Sequence, residues 1–336
     1  MNIRNLFIIF LLFSIVSCIS DNQNRKTDIE RLKLNGQVKS YLKTIHRSSE
    51  ELNDTIETTF KEQHRELILF DKNGNIIEEI SFKKNGERYK KWVSVYNSKG
   101  DEIEKFEIKY PNDTLKRWLN KYDNSGNEIE SIIYDHKDSI LSHTKSEYNK
   151  FNKETELIIL KSKPAKNQFV KVSYEYDDDG NEIKTTRYYA DKSKTEWFTK
   201  YDSFGNETEW TVYDRKGNLE RIDSTSYIYY KNDKIKEEKM FCSVDIPGVY
   251  GISKYNKNGD EIEYIEFFND SITSKEIYIY DNNGSRTTEY YKANGELKSI
   301  SKLTSKFDSN ENLIKESEYK NDKLNTIKNY KIEYYK

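Results

Sequence analysis

Along most of the chain an aromatic residue, a short polar stretch and an aliphatic or threonine position follow one another, and the pattern repeats. A clean copy is Tyr122-Asp123-Asn124-Ser125-Gly126-Asn127-Glu128-Ile129-Glu130. The phrase starts at Phe70, Tyr96, Tyr122, Tyr148, Tyr176, Tyr201, Tyr229, Tyr255, Tyr280 and Phe307. Those starts lie roughly 26 residues apart, a period that signals a repeat architecture. An Asp opening four residues that Gly closes predicts a type I turn with a left-handed Gly, a common bulged hairpin connection. Two decayed copies carry Asn152 and Lys231-Asn232-Asp233-Lys234 instead, and Asn and Asp tolerate left-handed φ best after Gly. A looser second turn follows, as in Phe82-Lys83-Lys84-Asn85-Gly86, Tyr213-Asp214-Arg215-Lys216-Gly217 and Tyr291-Lys292-Ala293-Asn294-Gly295. One repeat is therefore two strands and two turns, and successive repeats extend an antiparallel meander.

The N-terminus is different. Residues 1–17 combine Arg4 with an apolar run from Leu6 to Val16, which predicts an export signal too short for a membrane span. The run ends at Ile15-Val16-Ser17-Cys18. That ending resembles a bacterial lipoprotein signal, which implies cleavage before Cys18, acylation of that Cys and a lipid anchor in a membrane. Residues 18–32 are polar and aperiodic and predict a flexible tether. Residues 33–66 lack the clean phrase and predict an N-terminal capping hairpin, because terminal repeats of such arrays are atypical. Residues 67–336 are the repeat array. Lys161 to Gln168 predicts a loop, and Phe241 to Gly251, with Pro247-Gly248, is the least repeat-like insertion.

Composition narrows the function classes. Hydrophobic residues make up 35% and charged residues 34%, too polar for a thick core and too aromatic for disorder. The 27 tyrosines suit a half-exposed sheet face, ring packed and hydroxyl wet. Lys and Arg (56) nearly cancel Asp and Glu (58), so no basic patch points to nucleic acid. The four histidines, His46, His64, His136 and His143, show no zinc spacing. No P-loop, nucleophile elbow or dinucleotide fingerprint is present. Asp177-Asp178-Asp179-Gly180 has the wrong glycine spacing for a calcium loop and predicts one more hairpin turn. With Cys18 acylated, Cys242 stands alone between Phe241 and Val244 and predicts a small buried hydrophobe with no basic residue beside it. Neither a cofactor nor a metal is expected.

One feature carries candidate chemistry. Trp92, Trp118 and Trp197 each precede a repeat aromatic, Tyr96, Tyr122 and Tyr201, by four residues. On a strand each pair shares a face. Trp92 and Trp118, in adjacent repeats, would sit two strands apart, roughly 10 Å. These six residues form either a packed stripe or a platform for sugar rings or a partner protein.

The Tyr-Asp-x-x-Gly phrase resembles the RHS/YD-repeat family, and the second turn is similar to MORN-type hairpin repeats. The resemblance spans most of Phe70 to Lys323. It implies a spiralling β-shell of the kind that encloses toxin segments or acts at cell surfaces in adhesion or carbohydrate contact; MORN-like repeats also occur in antitoxins. This chain has Asn-Glu-Ile where RHS proteins have Gly-Arg-Leu, and carries no recognisable toxin segment. The expected fold is accordingly all-β: an elongated antiparallel meander of about ten two-stranded repeats in an open curved or spiralling sheet. The expected role is a non-catalytic binding scaffold for protein or polysaccharide, anchored at the bacterial cell envelope, in the outer membrane, facing the periplasm or the surface. An immunity or antitoxin protein is the alternative, and a polysaccharide-acting enzyme the third reading.

Overall fold

A computed structural model describes residues 26–49, 59–160, 169–242, 248–282 and 284–336. The export signal, Cys18, the loop expected at 161–168 and residues 243–247 of the insertion lie outside the described residues. Within them, the polar centre of the repeat phrase is a turn. The Asp123 carboxylate accepts from the Ser125 and Asn127 N–H groups at 2.8 and 2.9 Å. Gly126 donates to the Asp123 carbonyl at 3.2 Å with φ at +85°. The ladder then shifts between Lys121 and Tyr122, which is the bulge this turn requires. Asp177 spends its carboxylate the same way, on Asp179 and Asn181. Asn152 and Asp233, at the decayed copies, hold φ at +58° and +61°.

A mutation tests the turn chemistry. A Cβ at Gly126 meets nothing nearer than Asp101 Oδ1 at 4.0 Å, so Gly126→Val is penalised only by its backbone, at about 1–2 kcal/mol. Asn152→Val should cost less, since Asn152 already bears part of that strain. Thermal unfolding of the two variants checks the order; equal, negligible shifts contradict it.

Twenty-two strands among the described residues, β1 to β22 in chain order, belong to one antiparallel sheet. Strand β1 (Val38–Ser49) pairs with β2 (Thr59–Phe70) along one edge and with β22 (Lys323–Tyr334) along the other. The first strand meets the last, so the sheet is closed on itself, a barrel in topological terms. The open curved or spiralling meander expected from sequence is therefore incorrect. An open array would leave two edges of unpaired N–H and C=O groups; here the two edges satisfy each other. The hairpin read as a one-sided cap is half of that seam.

The chain divides into two compact units. One runs through residue 143 and adds 280–287 and 300–336. Its core gathers at the seam, where Val38, Ile68 and Phe70 are buried against Ile29, Leu34, Ile76, Ile332 and Tyr334. Asp28–Arg31, placed in the tether from sequence, form one helical turn, α1, with a Thr27/Glu30 capping box. Asp28 fastens this turn to the sheet by accepting from the Ile76 N–H at 2.8 Å, with the Tyr96 hydroxyl oxygen 3.2 Å from its carboxylate. Asn312, 2% exposed, sews the ends of the chain together. Its amide donates to the Asn35 carbonyl and the Tyr334 hydroxyl, and its Oδ1 accepts from the Asn35 N–H.

The other unit comprises 144–279 with 288–299 among the described residues. Its most buried large side chain is Tyr264, 1% exposed, on β17 (Glu261–Phe268). Tyr264 lies over Gly251 of β16 (Val249–Tyr255), where a Cβ would fall 2.8 Å from the Tyr264 hydroxyl oxygen.

Candidate functional site

Directly opposed residues of an antiparallel ladder share a face. Register therefore decides which side chains meet across β2, β3 (Ile76–Phe82), β4 (Arg88–Tyr96), β5 (Glu102–Lys109), β6 (Asp113–Tyr122) and β7 (Glu128–Asp135). Trp92 opposes Glu79 on one side and Glu107 on the other. Trp118 opposes Lys105 and Ile133. Both indoles thus lie on one face, two strands apart as expected, with Lys105 and Glu107 of β5 between them. Glu66 joins the same face through its pairing with Ser81.

These residues wall a concavity of about 370 Å³, lined by Glu66, Glu79, Trp92, Lys105 and Trp118. Both tryptophans are half-buried. Lys105 Nζ sits 3.3 Å from Glu79 Oε1 and 3.9 Å from Glu102 Oε2. Glu107, nearly buried, accepts from Lys90 at 2.5 Å and lies 3.8 Å from Lys116. The hydrogen bond to Glu107 raises the Lys90 pKa above its ordinary value, so that ammonium stays charged across the physiological range. The charged lining of the concavity is Glu66, Glu79 and Lys105, with the Lys90–Glu107 pair beside it on the same face.

The tyrosines of the expected stripe are committed elsewhere. Tyr96 donates its hydroxyl to the Ile76 carbonyl at 2.8 Å, Tyr122 to the Glu102 carbonyl at 3.0 Å, and Tyr201 to the Glu182 carbonyl at 3.0 Å. Each clips the end of its strand to the start of the strand before it. Burial, followed by nearby carboxylates, raises the Tyr96 pKa and pushes Tyr201 up to about 12. Trp197 lies on β12 (Lys194–Tyr201) in the other unit, opposed to Thr185 and Val212. The Arg187 guanidinium stands 4.7 Å from its ring centroid, so this indole face is already covered by a cation.

Glu66, Glu79 and Lys105 were not candidates from sequence, where they look like ordinary strand charges. Cys242 needs a correction too. It is buried, but Arg221 Nη2 lies 2.9 Å from its Sγ, while Arg221 Nε donates to Asp223 at 2.7 Å. The basic neighbour comes from the adjacent strand, through the Asp223–Cys242 pairing.

Carboxyls in the second unit set its pH response. Burial raises the Glu154, Glu182 and Glu238 pKa values above the ordinary 4.5, and Glu238 also accepts from the Tyr255 hydroxyl at 2.9 Å. A raised carboxyl pKa means the native state holds the proton more tightly. That contribution is complete below the unfolded value and is lost as pH rises through the folded one. Turn carboxylates act oppositely. The Asn181 amide lowers the Asp177 pKa, and the Asn218 N–H lowers that of Asp214; their stabilisation is present above the ordinary 3.8 and disappears on acidification. Stability should therefore peak in mild acid. Glu238→Gln, which keeps the acceptor but removes the charge, should raise the thermal midpoint at neutral pH and have little effect in mild acid. A lower midpoint at both would contradict the desolvated-carboxyl account.

No family model matches this chain. No curated protein matches it either. Among solved structures, the pore form of the Photorhabdus luminescens Tc holotoxin is similar at 12% identity and a TM-score of 0.34. That match covers 78% of this chain, which spans only 17% of the toxin chain. A porin-like protein from Bacteroides uniformis is similar at 11% identity and a TM-score of 0.27, covering 89% of this chain and 99% of its own. At such scores neither likeness bears on what this chain does. A closed antiparallel sheet is compatible with a place in the cell envelope.

Proposed function

We propose that this chain is an exported, lipid-anchored scaffold that binds a ligand without catalysis at the Trp92–Trp118 concavity. The observation that carries the reading is the meeting of two half-buried indole rings with a Lys105–Glu79 ion pair and Glu66 in one recess. Small-molecule and peptide sites combine apolar walls with a few placed polar groups in this way.

The anchor would be acyl chains on Cys18, at the end of the signal-like segment, which holds the protein to the outer membrane of a bacterial envelope. The sheet itself would stay in water. On the tryptophan face lie Lys105–Glu79 and Lys90–Glu107; on the opposite face lie Lys91–Glu78 and Lys121–Glu130, at 3.3 and 2.6 Å. A lysine facing lipid at the bilayer midplane costs about 2–4 kcal/mol, and this sheet puts charge on both sides. Single acyl chains anchor weakly and several anchor stably, so the attachment would depend on Cys18 alone.

The experiment is fractionation of cells expressing the intact chain or Cys18→Ala, with affinity capture from each. The substitution should remove the lipid label and shift the protein out of membranes. Wild type should retain a ligand that Trp92→Ala/Trp118→Ala loses. Labelled, membrane-bound Cys18→Ala overturns the anchor, and equal capture by the double variant overturns the site.

A further inference from the structure

The structure assigns a ligand class to the Trp92–Trp118 concavity: a neutral oligosaccharide, held by stacking of its sugar rings on the indoles. This rests on the binding-scaffold reading and names what the scaffold takes. The argument begins with shape. A volume of about 370 Å³ lies at the small end of the roughly 300–1,000 Å³ typical of small-molecule pockets. It accommodates one or two sugar rings. The walls come next. An indole is a flat apolar surface with a polar edge, which matches a pyranose, whose C–H groups line one face and whose hydroxyls project around the rim.

Charge then discriminates among ligands. The recess itself is lined by the carboxylates of Glu66 and Glu79 and the ammonium of Lys105, with Lys90, Glu107 and Lys116 beside them on the same face. A polyanion entering the recess would meet Glu66 and Glu79. A cationic peptide would find Lys105 already beside Glu79, between the two indoles. An uncharged ligand rich in hydroxyls meets no like charge, and it finds carboxylate acceptors and an ammonium donor within one recess. Charge-assisted hydrogen bonds of this kind are about twice as strong as neutral ones. The Lys105–Glu79 contact pre-positions both partners, which reduces the ordering cost on binding.

The test is calorimetric titration of the purified chain with cellohexaose, laminarihexaose, xylohexaose and mannohexaose, with heparin and a lysine-rich peptide as charged probes. At least one neutral hexaose should bind. Trp92→Ala and Trp118→Ala should each weaken it on the order of tenfold or more, while Trp197→Ala leaves it unchanged. Trp92→Phe, which preserves an aromatic wall and guards against misfolding, should retain part of the affinity. Glu79→Gln, which leaves Lys105 only its longer contact to Glu102, should weaken binding without altering the melting temperature. Binding of heparin or the peptide that depends on Trp92, with no neutral hexaose bound, overturns the saccharide assignment and leaves the scaffold reading standing. A folded wild type that binds none of the probes through Trp92 overturns both.

Discussion

Asn312→Ala should lower stability by about 2–4 kcal/mol, and the loss should appear as opening of the seam between the ends of the chain. The side chain is almost fully buried. Through it the Asn35 N–H and C=O, 277 residues away in sequence, are both satisfied, at 2.7 and 2.9 Å. Alanine removes the Asn312 partner from those two backbone groups, which water can reach because Asn35 is exposed, and from the Tyr334 hydroxyl, which keeps Asp308; each hydrogen bond lost costs about 0.5–1.5 kcal/mol net. Asn310→Ala is the control. Its backbone carbonyl, not its side chain, receives the Asn35 amide, so the substitution should be nearly silent. Denaturant unfolding measures both. Hydrogen exchange should show β1 and β22 losing protection first in Asn312→Ala. Equal effects from the two substitutions would mean that the seam is held by its ladder alone.

Gly251→Val should be nearly as damaging, by about 1–3 kcal/mol, for a different reason. The new Cβ would meet Tyr264 at 2.8 Å from its hydroxyl oxygen and 2.9 Å from Cε2. Tyr264 is buried to 1% exposure and has little room to retreat. Tyr264→Leu alone loses buried ring area, yet it makes room for the valine. The two changes should therefore cost less together than the sum of each alone, as contacting residues do. A double-mutant cycle on thermal unfolding checks this. Strict additivity would mean that the ring does not rest on Gly251.

The turns were legible because their chemistry is local. Asp123 and Gly126 are three residues apart, and carboxylate, left-handed Gly and bulge follow from that spacing alone. Closure was not legible. It depends on β1 meeting β22 and on Asn35 meeting Asn312, contacts whose partners lie at opposite ends of the chain. Neither strand is marked by composition as an edge or as the partner of the other. The same limit applies to the site. Trp92 and Trp118 were visible because residues four apart on a strand share a face. Glu79 and Lys105 were not, because which charge meets which ring depends on ladder shifts at Ser81/Phe82 and Glu107/Ile108. The tyrosines misled in another way. Tyr96, Tyr122 and Tyr201 share the tryptophan face but spend their hydroxyls on backbone carbonyls 19 or 20 residues upstream. Cys242 gained its arginine only through strand pairing.

The central claim is that Trp92 and Trp118 together wall a ligand site and that the other two tryptophans do not. The chain has four tryptophans, so fluorine NMR of protein carrying fluorotryptophan resolves the question residue by residue. Single Trp→Phe variants assign the resonances, and each member of the neutral hexaose panel is then titrated in. The account predicts that a binding hexaose shifts the Trp92 and Trp118 resonances together, with one midpoint, and leaves Trp197 and Trp210 in place. Shifts confined to Trp197 or Trp210, or no shift at any of the four across the panel, would contradict it.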